Sequence, residues 1–122
     1  MALAREIMGG GFSALGARAI QGQVNASVSA AGTTISDATD LASSINVITT
    51  AAASSGVQLP SAEIGDEVEI LNIGANSVTV YPDATANRIN NLSAGSGFTL
   101  AINTAVRLRK FTSTRWVGYL SA

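Results

Sequence analysis

The chain has 122 residues, with seven Lys and Arg against eight Asp and Glu, and no His or Cys. A net charge of −1 gives no basis for electrostatic capture of nucleic acid, and zero Cys excludes disulfides and thiolate metal sites. Without His or Cys, the Ser–His and Cys–His nucleophilic arrangements are excluded as well.

A chain of this length makes one domain, or a small domain with an arm. Hydrophobic residues are 47%, but much of that is Ala, and three Phe, two Tyr and one Trp supply the large side chains. Burying Ala stabilises far less than the ~1.5–3 kcal/mol of a Leu, Val or Phe. An isolated monomer is therefore expected to be marginal, and self-association to supply the missing buried area. No apolar run approaches the ~20 residues of a membrane span, and the N-terminus lacks a charged segment followed by an apolar one. The expectation is a soluble protein made in a cytoplasm, with no membrane partner.

Residues 1–22 read as an arm. Ala2–Met8 are good helix formers with Leu3 and Ile7 on one face. Gly9, Gly10 and Gly11 stop that helix. Phe12–Ile20 predicts a second short helix, with Ser13 as N-cap, Leu15 and Ala19 on one face, and Gly22 as the stop. Two such short helices are unstable alone in water, so they need a surface to lie on.

Residues 23–62 are rich in Ser, Thr, Ala and Gly, with Asp37 and Asp40 as the charges before residue 63. Alternation at Val24, Ala26 and Val28, at Ile45, Val47 and Thr49, and at Val57 and Leu59 predicts strands rather than linker. Gly32–Ala42 and Ala53–Gly56 read as loops.

Residues 63–122 predict a β-meander over Val68–Ile73, Ser77–Pro82, Arg88–Leu92, Phe98–Ile102, Ala105–Thr112 and Arg115–Leu120. Gly74–Ser77 is a hairpin candidate. Val106 and Leu108 form one face with Arg107 and Arg109 opposite. Lys110 and Phe111 break that alternation, which predicts a bulge or register change. Trp116, Gly118 and Leu120 are expected to close the core. With no repeat visible, eight or nine strands point to an all-β, jelly-roll-like antiparallel sandwich or small barrel over 23–122, behind the helical or extended arm.

Few motifs suggest chemistry. Gly9-Gly10-Gly11-Phe12-Ser13-Ala14 matches a dinucleotide fingerprint only in its letters, because no βαβ pattern surrounds it. Glu63, Asp66, Glu67 and Glu69 lack the spacing of a calcium loop and read as a solvated face. Arg107, Arg109, Lys110 and Arg115 form a basic counterpart on the last strands. Pairing of Glu67 and Glu69 with Arg107 and Arg109 between protomers is one expectation from this complementarity. No catalytic residue, metal site or cofactor is expected.

From Gly56 onward the chain carries Gly56-Val57-Gln58-Leu59-Pro60, then Gly65-Asp66-Glu67-Val68-Glu69-Ile70, then Asn72-Ile73-Gly74 through Tyr81-Pro82, Ile89-Asn90 and Thr114-Arg115-Trp116. This pattern, with Ala4-Arg5-Glu6-Ile7 and Ala17-Arg18-Ala19-Ile20 at the start, resembles small virion proteins of tailed bacteriophages, of the capsid decoration and head-fibre type. The resemblance implies a β-sandwich, commonly trimeric, held outside a capsid that a different major capsid protein builds. On that reading Leu3, Arg5, Ile7, Met8, Phe12, Leu15, Arg18 and Ile20 bind the capsid or a neighbouring protomer, and the protein resides on the capsid surface of the virion. The alternative is a fibre or adhesin module that recognises a host-surface glycan through loops 83–87 and 93–97.

Overall fold

The computed structural model describes residues 24–121. The chain is all-β there, with no helix among the described residues. The strands are β1 (Val24–Ala30), β2 (Thr39–Asp40), β3 (Ile45–Ala51), β4 (Gly56–Gln58), β5 (Glu67–Asn72), β6 (Val78–Tyr81), β7 (Arg88–Ile89), β8 (Phe98–Leu100), β9 (Thr104–Thr112) and β10 (Arg115–Leu120).

Short β-branched runs separated by Gly, Asn and Ser turns are what make these segments extended. Their destination is not a meander. β1, β3 and β5 lie side by side in a six-stranded sheet ordered β1-β3-β5-β9-β10-β7, and β2, β4 and β6 lie in a four-stranded sheet ordered β2-β4-β6-β8. The β1–β3, β3–β5, β2–β4 and β4–β6 pairs are all parallel. Each pass of the chain thus lays one strand in each sheet and then stacks on the previous pass, which is a short β-solenoid. Parallel neighbours need a long crossover, and here the strand of the opposite sheet supplies it. The register Val24↔Ile45 and Ile45↔Glu69 sets successive coils 21 and then 24 residues apart.

Toward its C-terminal side the stack takes on antiparallel pairs, and β7 then closes the six-stranded sheet parallel to β10. β9 runs antiparallel to β5 and to β10, and β8 antiparallel to β6. Between the two sheets lies one core, in which Ile48, Val57, Ile70, Val80, Ile89, Leu100, Leu108 and Trp116 are fully buried. Small residues turn one corner of the stack. A Cβ on Gly74 would come within 2.8 Å of Ala51 Cβ and 3.0 Å of its backbone nitrogen, so coils can close together there only without a side chain.

Several expectations are corrected by this topology. The antiparallel jelly-roll sandwich gives way to parallel stacked coils, because consecutive strands alternate between sheets. Gly74–Ser77 is an arch from β5 in one sheet to β6 in the other, not a hairpin. A structural repeat is present where none was visible in the letters. β3 turns Asn46 and Ile48 inwards, so Ile45, Val47 and Thr49 lie on its outer side. Leu120 is exposed rather than core, although Trp116 closes the core as expected. The bulge expected at Lys110–Phe111 is present: Arg115 opposes Thr112 and Trp116 opposes Lys110, which leaves Phe111 as the extra residue. The helical arm, with Leu3, Arg5, Ile7, Met8, Phe12, Leu15, Arg18 and Ile20, lies outside the described residues.

Candidate functional site

Strand alternation sends Val68, Ile70, Val106 and Leu108 into the core and leaves Glu67, Glu69, Arg107 and Arg109 on the outer face of the six-stranded sheet. Antiparallel register places Glu67 opposite Arg109 and Glu69 opposite Arg107. The charges meet there. Glu69 Oε1 lies 2.7 Å from Arg107 Nε and 2.6 Å from its Nη2. Glu67 pairs with Arg109 and stands 3.9 Å from Arg107 Nε. The acidic and basic groups expected to pair between protomers are thus paired within one chain, because β5 and β9 are neighbours.

A groove of about 480 Å³ runs over this quartet. Phe111 and Tyr119 stand on its walls, 48% and 60% exposed, beside Ala105, Val106, Leu120 and Ser121. The register Glu69↔Arg107↔Tyr119 puts carboxylate, guanidinium and phenol in one row across three strands. Ser121 is tied down there by accepting a 2.8 Å hydrogen bond from Ala105 N at its Oγ. Phe111 shares the parity of Arg107 and Arg109 on β9, which places its ring on the same outer face beyond Arg109.

The other charged cluster is buried. Lys110 Nζ lies 2.7 Å from Asp83 Oδ2, with the two side chains 8% and 6% exposed, and donates to Ala62 O at 2.9 Å. Asp83 Oδ1 accepts from Asn87 Nδ2 at 2.7 Å and from Trp116 Nε1 at 2.9 Å. The ammonium also sits 5.8 Å from the Trp116 ring centre, within cation–π range. Burial pushes the Asp83 carboxyl up, but the hydrogen bonds from Lys110, Asn87 and Trp116, with the Lys110 charge, hold it below the usual carboxylate range. Every buried polar group here has a partner, so this cluster is a staple between the β6–β7 loop and the β9–β10 pair.

Lys110 had been grouped with the surface bases Arg107, Arg109 and Arg115. Its inward position was legible: Val106, Leu108 and Lys110 share one parity of β9. Loops 83–87 and 93–97, expected as glycan contacts, brace each other through Gly95 N donating to Asn87 O at 2.8 Å. Asp37 stabilises its own turn: the Thr34 hydroxyl and the Thr33 and Thr34 amides donate to its carboxylate, which holds its pKa down.

Two inward asparagines were also missed. Asn72 uses both ends of its amide, donating to Asn76 O and Leu100 O and accepting from Gly74 N. Asn46, one coil earlier, donates to Ser43 O at 2.8 Å and more weakly to Glu69 O, yet its Oδ1 is buried with no partner. It lies beside β1, the edge strand of the stack among the described residues. No family model matches the chain, and no curated protein or solved structure shows detectable similarity to it.

Proposed function

We propose that this chain is a structural protein of a phage virion that binds the outside of the capsid and decorates or cements it by contact alone. Its partners are the major capsid protein and further copies of itself, as a homotrimer. The observation that supports this best is the N-terminal end of the stack, which is open among the described residues. There β1 and β2 are both edge strands, and Asn46 Oδ1 is buried without a donor. Unpaired strand edges are templates for further chain, and a monomer normally blunts or covers them. Residues 1–23 precede β1 in the sequence and carry the apolar positions Leu3, Ile7, Met8, Phe12, Leu15 and Ile20 and the cations Arg5 and Arg18.

Reinforcement of a shell needs no chemistry. A trimer that touches several capsid subunits combines weak contacts into stable attachment. Preference for the expanded lattice would stabilise that state by mass action. The jelly-roll sandwich expected from the strand pattern is not part of the proposal, since the first coils are stacked in parallel.

Co-sedimentation with empty expanded capsids of the phage that encodes the chain tests the reading. Full-length protein is expected to pellet at a fixed stoichiometry, and a chain lacking residues 1–22 to stay in the supernatant while remaining folded. Failure of the full-length protein to pellet with these capsids, with or without the major protein's expansion, overturns the assignment.

A further inference from the structure

We infer that the groove over β5, β9 and β10 is a binding site for a neutral oligosaccharide. This goes beyond attachment to a capsid and does not depend on it. This site is distinct from the loops 83–87 and 93–97, which the adhesin alternative would use. It is on the sheet face, where Tyr119, Phe111 and the Glu67, Glu69, Arg107, Arg109 quartet converge.

The dimensions suit such a ligand. The row Glu69–Arg107–Tyr119 crosses three strands, about 10 Å at the spacing of neighbouring strands. From Arg107 to Phe111 along β9 is about 13 Å at the extended rise per residue. That strip, enclosing about 480 Å³, is the size of a small-molecule site. It is far smaller than the roughly 800 Å² per partner of a stable protein interface.

Its chemistry is that of a sugar. A pyranose presents hydroxyls at its rim, each a donor and an acceptor, and C–H groups on its faces. The quartet supplies acceptors and donors side by side, already fixed by Arg107–Glu69 and Arg109–Glu67 pairing, so little side-chain entropy is lost when hydroxyls bridge them. A guanidinium has five donors and a carboxylate about four lone-pair positions, more than the ion pairs consume. Tyr119 and Phe111 offer apolar ring surface at the two ends. Tyr119 makes no side-chain hydrogen bond among the described residues, which leaves its hydroxyl for the ligand. The quartet sums to zero charge, which disfavours a phosphate or a polyamine, since each would face a like charge at close range.

Amide-resolved NMR titration of the full chain with cellohexaose, maltohexaose and chitohexaose, each to ~10 mM so that millimolar affinities are seen, tests this. At least one sugar is expected to shift resonances of Ala105–Phe111 and Val117–Ser121 in a saturable way. Tyr119→Ala should weaken that sugar's binding by about tenfold or more, and Glu69→Gln should weaken it without moving the thermal midpoint more than a surface change does. Tyr119→Phe separates ring from hydroxyl: stacking survives and one hydrogen bond is lost. No saturable shifts with any of the three sugars overturns the proposal. So do shifts that map away from the groove, shifts untouched by Tyr119→Ala, or concentration-dependent shifts of these residues without sugar, which would make the groove a self-association face. Loss of capsid attachment in the same variants is not required.

Discussion

Asp83 is the residue on which the buried polar cluster behind β9 and β10 converges. It accepts from Lys110, Asn87 and Trp116 at once, and all three donors are enclosed. Asp83→Asn keeps the shape but leaves the Lys110 ammonium buried without its counter-charge. Breaking one side of a buried pair costs roughly 3–5 kcal/mol, and urea unfolding should show a loss in that range. Adding Lys110→Met should recover part of it, because the remaining cost is the uncompensated charge. The pH dependence has a definite sign. The folded carboxyl is held below its unfolded value, so its contribution is complete above about pH 3.9 and is lost as pH falls through the folded pKa. Acid titration of stability should therefore be steeper in the native chain than in Asp83→Asn.

The two inward asparagines give a paired test at the same scale. Asn72 is satisfied at both ends, whereas Asn46 Oδ1 has no partner. Asn72→Ala strands Leu100 O, Asn76 O and Gly74 N and should cost about 2–3 kcal/mol at ~1 kcal/mol per hydrogen bond. Asn46→Ala removes an unsatisfied acceptor along with its donor contacts, so its loss should be nearer 1 kcal/mol. Equal losses in chemical denaturation would mean that Asn46 Oδ1 is bonded in solution.

Among the elements, the β5–β9 pair carries the outer quartet and the turn after β5 carries a tight corner. The quartet is half exposed, so each Glu–Arg coupling should be about 0.2–1 kcal/mol by double-mutant cycle and should shrink as salt rises. The corner is less forgiving. Gly74→Ala places a methyl 2.8 Å from Ala51 Cβ, and overpacking of this kind costs about 1–3 kcal/mol. This is also where sequence legibility ends. The strand positions in residues 63–122 were readable to within a few residues, since β-branched alternation marks extended chain whatever its partner. The bulge at Phe111 was readable because alternation broke there. Pairing was not readable, because Gly-Ala-Asn-Ser serves an arch between sheets as well as a hairpin within one. The repeat was hidden by its uneven spacing and by its chemistry. Asn25 stacks on Asn46, and Val28 on Ile48, but Ile48 then stacks on Asn72, so apolar and polar residues share a column. The groove was half legible: Glu67, Glu69, Arg107 and Arg109 were singled out, but Tyr119 joins them only once β10 is known to pair with β9.

At the scale of the whole molecule, a stacked fold makes stability a sum of coil and neighbour terms rather than one indivisible core. The coils here are unequal. Among the described residues β1 has a neighbour on one side only, its register to β3 shifts between Asn25 and Val28 and again at Ser29, and its Val24 is exposed. β5 has β3 on one side and the long β9 on the other, and sends its own Ile70 into the fully buried core beside Leu108 of β9. The far end is pinned by Trp116 and by the Lys110–Asp83 staple. Opening should therefore begin at the β1–β2 end and travel toward β5, so amide hydrogen exchange should be fastest in β1 and β2, intermediate in β3 and slowest in β5 and β9. Loss of the staple in Asp83→Asn should collapse that gradient from the other end, raising exchange in β9 and β10 before β3. Capture of the open edge in an assembly has the opposite signature. Protection in β1 should rise toward that of β3 when the protein is bound to capsids, with the β5–β9 rates unchanged, since strand edges gain most from a new neighbour and central strands gain least. Uniform protection along the isolated chain would mean that the open end is already covered in solution, and would move the assembly contacts to another face.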